Sequence, residues 1–248
     1  MAKKSFVDWL YTTAPGRVTL KVLLHTGALK LGEIVARSPL SKPLINRYIK
    51  NNNIDMSDFK GQKYNSFQDF FSRKRDDIEV DRQAEHLISP CDGYLSAYRI
   101  KSNNSFHIKG SWYKVTDLVT DKKIAKEFVG GDCVILRLCA NDYHHYCYID
   151  DGFQGKNHFV KGLDTVNFGK VAQIEIGALL VGGIVNDHEN VMMRKGAEMG
   201  HFELIGSTIV LLFKKGHIDL LPEIKECIKG DKEVRVIQGQ HIANRTAF

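Results

Sequence analysis

A chain of 248 residues with 43% apolar and 10% aromatic residues can bury a core of its own, which excludes a disordered polymer. No apolar run reaches the roughly 18–20 residues that a membrane-spanning helix needs, and five cysteines, odd in number and without a CxxC pair, argue against a disulfide framework. The formal charge of +6 is unevenly spread: residues 1–50 carry nine Lys/Arg against Asp8 and Glu33, a net of +7, so residues 51–248 sum to −1. Asp8 and Thr12-Thr13 interrupt the start of the chain where a secretion signal keeps its apolar stretch, so an intracellular location is expected.

Residues 5–50 read as helices. Val18, Leu20, Leu23, Leu24, Ala28, Leu31, Ile34 and Val35 recur at helical spacing, and "SPLSKPLINRYIK" supplies a serine cap ahead of a further periodic run. Two uses fit such a basic, amphipathic segment: a cap packed on its own domain with a solvated face, or a helix pair lying on an anionic membrane surface. "KYNSFQDFFSRK" predicts one short helix. From about residue 87 short strand-like runs follow, separated by Gly, Asn and Asp: "HLISPCDGYLSAYRI", "SFHIKGSWYKV", "DCVILRLCA", "HHYCYIDDG", "KVAQIEIGALLVGGIV", "LIGSTIVLLFKKGHIDL" and "EVRVIQGQHI". The expected fold class is α+β, with an N-terminal helical segment (1–60) packed on a β-rich, sandwich- or barrel-like unit (61–248).

Three places carry chemistry. Asp92-Gly93 in "SPCDGY" is a turn signal. "NDYHHYCYIDDG" gathers Asp142, His144, His145, Cys147, Asp150 and Asp151 in one short run. No standard zinc spacing joins these residues, so no metal is expected, and a histidine acting as a general base is the simpler use of the cluster. Finally, "GHFELIGSTIVLLFKK" sets Gly206-Ser207-Thr208 inside a buried-looking strand, where glycine and a small hydroxyl weaken packing. "RKGAEMGHF" reads as a turn leading into that strand. The glycines of "IGALLVGGI" lack a following Lys-Ser/Thr, which argues against a nucleotide loop.

In this order the motifs resemble the phosphatidylserine decarboxylase family over nearly the whole chain. "SFQDFFSRK" is similar to its Phe-rich, Arg-containing element, "SPCDG" to its Ser-Pro-x-Asp-Gly, and "DYHHY" to its Asp-Tyr-His-Arg-Phe. "FGKVAQIEIGALLVGGI" matches its Gly-Ala…Val-Gly strand, and "KGAEMGHFELIGST" its Lys-Gly-x-Glu-x-Gly-x-Phe…Gly-Ser-Thr. The resemblance implies a self-processing enzyme. Ser207 Oγ attacks the Gly206 carbonyl, elimination releases a β chain of residues 1–206, and an α chain of residues 207–248 keeps a pyruvoyl group made from Ser207. It further implies that this group condenses with the substrate amine as a Schiff base and serves as electron sink for the decarboxylation of phosphatidylserine to phosphatidylethanolamine. His144, as base, and Asp92, as the carboxylate that orients it, then assist Ser207. The implied partners are phosphatidylserine, an anionic membrane surface and the chain's own second fragment, with further dimerisation left open and no nucleic acid. The implied location is peripheral, at the cytoplasmic face of the cell membrane.

Two departures from the family pattern bear on this reading. Cys147 stands where the family carries its second histidine, which leaves His144, His145 and His158 as alternatives for the base, with His144 at the matched position. Only "LDTVN" (163–167) separates Gly162 from Phe168, where relatives have a long segment that helps line the substrate site. That shortening keeps two other readings open: a pyruvoyl decarboxylase of a free amino acid, and a non-maturing scaffold or lipid-binding relative.

Overall fold

The fold is taken from a computed structural model that describes residues 13–25, 28–101, 105–108, 111–119, 121–155, 161–177, 183–186, 188–203, 207–230 and 232–246. The helical start of the chain comprises α1 (Ala14–His25), α2 (Ala28–Arg37) and α3 (Lys42–Asn52); residues 5–12 of the expected helical segment lie outside the described residues. Local chemistry sets the boundaries. Ser38 accepts a hydrogen bond from the Leu40 amide at the start of the 3-10 turn Pro39–Ser41, Pro43 sits in the first turn of α3, and Asn53 ends that helix in the left-handed region at φ 50°. After a second 3-10 turn (Ser57–Phe59) comes α4 (Phe67–Phe71), capped by Ser66 Oγ on the Asp69 amide at 3.1 Å. Phe70 of α4 packs with Ile45 and Ile54, and Tyr48, Tyr64 and Phe67 close around them.

The remainder is β-rich. Strands β1 (His86–Ile88), β2 (Gly93–Arg99), β3 (Ser105–Ile108), β4 (Ser111–Lys114) and β5 (Asp132–Arg137) are followed by β6 (His145–Cys147), β7 (Gly152–Gln154), β8 (Lys161–Thr165) and β9 (Gly169–Ile176). Then come β10 (Ile184–Asn186), β11 (Val191–Met193), β12 (Glu198–Phe202), β13 (Thr208–Phe213), β14 (Ile218–Leu220), β15 (Val234–Val236) and β16 (His241–Arg245). An eight-stranded antiparallel sheet has the order β11-β7-β8-β9-β13-β5-β2-β15, beside two three-stranded sheets, β1-β16-β14 and β10-β12-β6, and the hairpin β3-β4.

β13 lies near the middle of the large sheet, and all six of its residues are buried. Its alternation explains the continuous apolar run. Ile209, Leu211 and Phe213 face a core shared with Leu87, Tyr146, Phe202, Ile218 and Ile242 of the two smaller sheets. Val210 and Leu212 face a second core closed by Val115, Leu118, Ala125 and Phe128. The large sheet is therefore covered on both faces, and the class is α+β.

Three helices fall where the sequence reading has no element: α5 (Val115–Leu118), α6 (Lys122–Glu127) and α7 (Pro222–Lys229). "RKGAEMGHF", read as a turn, holds the whole of β12. The shortened stretch 163–167 lies within and just beyond β8, and Val166–Phe168 alone connect it to β9.

Candidate functional site

Two of the predicted residues, Ser207 and Asp92, lie at one end of the large sheet. Arg137, the last residue of β5, is paired with Thr208 of β13 on one side and with Tyr94 of β2 on the other. Ser207 and Asp92 thus approach the end of β5 from opposite flanks, two strand spacings or about 10 Å apart along the sheet. Ser207 is 1% exposed, and its carbonyl accepts from the Leu138 amide at 3.0 Å. Gly206, the other half of the expected cleavage site, and His158, the third alternative for the base, lie outside the described residues.

Asp92 is buried in the turn before β2. Its Oδ1 accepts from the Gln238 amide at 2.9 Å, and its Oδ2 meets Arg75 Nη2 at 3.4 Å. The turn needs its glycine: Gly93 has φ 153°, and a Cβ there would stand 2.7 Å from the Arg137 carbonyl oxygen. Cys147 is fully buried, its amide donating to the Pro90 carbonyl at 2.9 Å. Burial pushes its thiol up to about 11, against a hydrogen bond from the Gln238 side chain. Gln238 thus touches both Asp92 and the residue at the second-histidine position. It went unnoticed in the sequence because a glutamine ahead of a turn glycine carries no signal of its own.

His144 is 1% exposed and lies against the Phe71 ring at 4.2 Å. Its Nδ1 is 2.9 Å from the Asp142 carbonyl oxygen, an acceptor, so Nδ1 carries the proton and Nε2 presents its lone pair. Nε2 is buried and has no hydrogen-bond partner among the described residues. Burial lowers this group to about 3, so the ring is held neutral. The orienting contact of His144 is therefore the Asp142 backbone, while Asp92 faces Arg75 and Gln238. The Asp142 carboxylate accepts from the Cys139 amide at 2.5 Å and pairs with Arg235 at 2.7 Å; burial raises its carboxyl above the usual range.

His145 has a different environment. Nδ1 meets Glu198 Oε1 at 2.6 Å and Nε2 meets the Ser72 carbonyl at 3.0 Å. Both nitrogens of this ring are therefore engaged. It is stacked between Tyr143 at 4.9 Å and His201 at 4.8 Å. Of the two histidines only His144 offers an unspent nitrogen.

Among the described residues two groups have ligand atoms within 4.8 Å of one another: His145, Glu198 and His201, and Asp81, His86 and His241. In the first, both His145 nitrogens are engaged and Lys74 holds Glu198 at 2.8 Å. In the second, the His86 and His241 rings are stacked at 3.6 Å with planes 3° apart. A metal lies in the plane of each ligating ring, which parallel stacked rings cannot share. Both groups read as hydrogen-bonding and stacking clusters.

A family model described as phosphatidylserine decarboxylase matches residues 67–163 and 153–244. The phosphatidylserine decarboxylase proenzyme 2 of Clostridium acetobutylicum is 38% identical over 268 aligned positions, covering 97% of this chain and 92% of that protein. The phosphatidylserine decarboxylase proenzymes of Clostridium beijerinckii and Clostridium kluyveri are each 33% identical, covering 99% and 98% of this chain and 94% and 93% of those proteins. These alignments run longer than the chain's 248 residues, and the two stretches of the family match meet at 153–163, beside the shortened segment.

Proposed function

The chain belongs to the phosphatidylserine decarboxylase family of carboxy-lyases, and from that premise we propose that it decarboxylates phosphatidylserine to phosphatidylethanolamine with a pyruvoyl group made from its own Ser207. The observation that carries the proposal is a buried serine at the head of β13 in a chain that also holds a buried histidine, kept neutral, whose Nε2 has no hydrogen-bond partner among the described residues. These residues fit the group. In self-cleavage Ser207 Oγ attacks the Gly206 carbonyl and gives up its proton to a base, for which His144 Nε2 is our assignment. The Gly206–Ser207 C–N bond breaks, the freed nitrogen takes a proton, and an ester remains. Removal of the Ser207 Cα proton expels the Gly206 carboxylate and leaves dehydroalanine, whose hydrolysis releases ammonia.

The pyruvoyl carbonyl supplies an electron-withdrawing centre for the electrons released as CO₂ departs. The chain's own residues orient the substrate, exclude water and return a proton. Burial of Ser207, Asp92 and His144 supports water exclusion, and His144, protonated in the course of reaction, is our assignment for the proton donor.

We further assign residues 1–60 to membrane contact and residues 61–248 to catalysis. Leu31, Ile34, Leu40 and Leu44 are 64, 65, 84 and 51% exposed, with Lys42, Arg47 and Lys50 exposed among or just beyond them, a composition suited to an anionic lipid surface. Among the described residues no helix is long and apolar enough to cross a membrane, in keeping with peripheral attachment. The cleavage products would stay together, because β13 pairs with β5 and β9, β15 with β2, and β16 with β1 across the two fragments.

The short β8–β9 connection favours a second reading, decarboxylation of a free amino acid. The test is CO₂ release from phosphatidylserine in mixed micelles, compared with free L-serine. Turnover of the lipid with little of the free amino acid supports the proposal, and the reverse preference overturns it.

A further inference from the structure

Arg73 differs from the arginines around it. Arg75 pairs with Asp58 and Asp92, Arg137 with Glu233 and Arg235 with Asp142. Arg73 is 4% exposed, and among the described residues no carboxylate pairs with it. Its guanidinium lies between the Phe59 and Phe70 rings, with centroids at 4.8 and 4.9 Å. Among the described residues one long hydrogen bond runs from Nη1 to the Phe70 carbonyl at 3.4 Å, and Nε, buried, has no partner. Two ring faces offset only part of the cost of desolvating a cation. A buried guanidinium with an unspent donor asks for an anion.

Its position says which anion. Arg73 follows α4, whose Phe71 touches His144 and whose Phe70 packs on α3. Along this chain of contacts the exposed apolar residues of α2 and α3 come first, then α4 with Arg73 at its end, then His144. Phosphatidylserine has the same order: acyl chains, phosphodiester, serine. We propose that Arg73 is the subsite for the substrate's phosphodiester, an inference that rests on the phosphatidylserine reading above. The serine carboxylate is the poorer occupant, since it must leave as neutral CO₂ and a guanidinium on it would stabilise the ground state rather than the transition state. Phe59, on a single 3-10 turn, covers one face of the guanidinium.

The test uses the full chain and the variants Arg73→Met and Arg73→Lys. In mixed micelles Arg73→Met raises KM for phosphatidylserine about tenfold or more, Arg73→Lys gives an intermediate value, and kcat changes less. Inhibition by glycerophosphoserine weakens by the same factor, while inhibition by L-serine, which lacks the phosphate, is unchanged. Parental KM in both variants overturns the proposal, as does an equal loss of L-serine inhibition, which would put Arg73 on the carboxylate. A second arm needs no maturation: glycerophosphoserine binding to the Ser207→Ala chain, measured by calorimetry, is lost in Ser207→Ala/Arg73→Met and partly kept with Arg73→Lys. If the parent never matures, the enzymatic reading fails while this arm still decides the role of Arg73. If the parent matures and binding is indifferent to residue 73, the subsite alone is wrong.

Discussion

At the scale of single residues, His144 combines burial, a fixed tautomer and an unspent nitrogen. Folding keeps it neutral: its native value is about 3 against the ordinary 6.5. Below pH 6.5 the unfolded chain takes up a proton at this position that the native chain refuses until about pH 3. The unfolded state binds more protons across that window, so stability falls as pH falls, by up to about 1.4 kcal/mol per pH unit from this group. Urea unfolding at pH 7, 6, 5 and 4 should show a shallower loss for His144→Gln than for the parent; parallel curves would mean that His144 is not held neutral. In our assignment His144→Ala also slows the appearance of the two fragments, and maturation at the parental rate would remove it as base. The residue types of this site were legible in the sequence, but their partners were not. "DYHHYC" pointed to a base without saying which ring has a free nitrogen, since that depends on Ser72 and Glu198, remote in the chain. Gln238 and the burial of Arg73 were hidden for the same reason.

Among the elements, β13 was the most readable, because a strand covered on both faces must be apolar throughout and Ser207-Thr208 stood out against that background. The helix Pro222–Lys229 was missed although Pro222 opens it, because eight residues between two strands give little periodicity. Helices α5 and α6 are shorter still, and contact with the sheet, where Val115, Leu118 and Ala125 are buried, holds them. Removing a buried side chain from β13 tests its weight: Leu211→Ala should cost about 2–5 kcal/mol, read from the denaturation midpoint. At the turn beside Asp92, Gly93→Ala meets both a backbone oxygen and an unfavourable φ. It should destabilise by about 1–3 kcal/mol, seen as a lowered Tm, and an unchanged Tm would contradict the geometry described for this turn.

On the scale of the whole molecule, the contrast between a basic helical start and a β-rich remainder was visible from charge and periodicity. What neither could reveal is how the start is joined to the rest: Tyr48 donates to the Ala140 carbonyl at 3.3 Å, and Arg37 pairs with Glu203 at 2.8 Å. If the exposed face is the lipid contact, Leu31→Glu/Ile34→Glu should weaken sedimentation with vesicles rich in anionic phospholipid while leaving maturation unchanged. Equal sedimentation would move the contact elsewhere. The account as a whole depends on whether the chain cuts itself. Intact mass under denaturing conditions, with Ser207→Ala as control, decides this. The account predicts two fragments of 206 and 42 residues, the smaller blocked to Edman degradation and carrying a carbonyl, and one uncut chain in the control. A single uncut chain in both samples would contradict it.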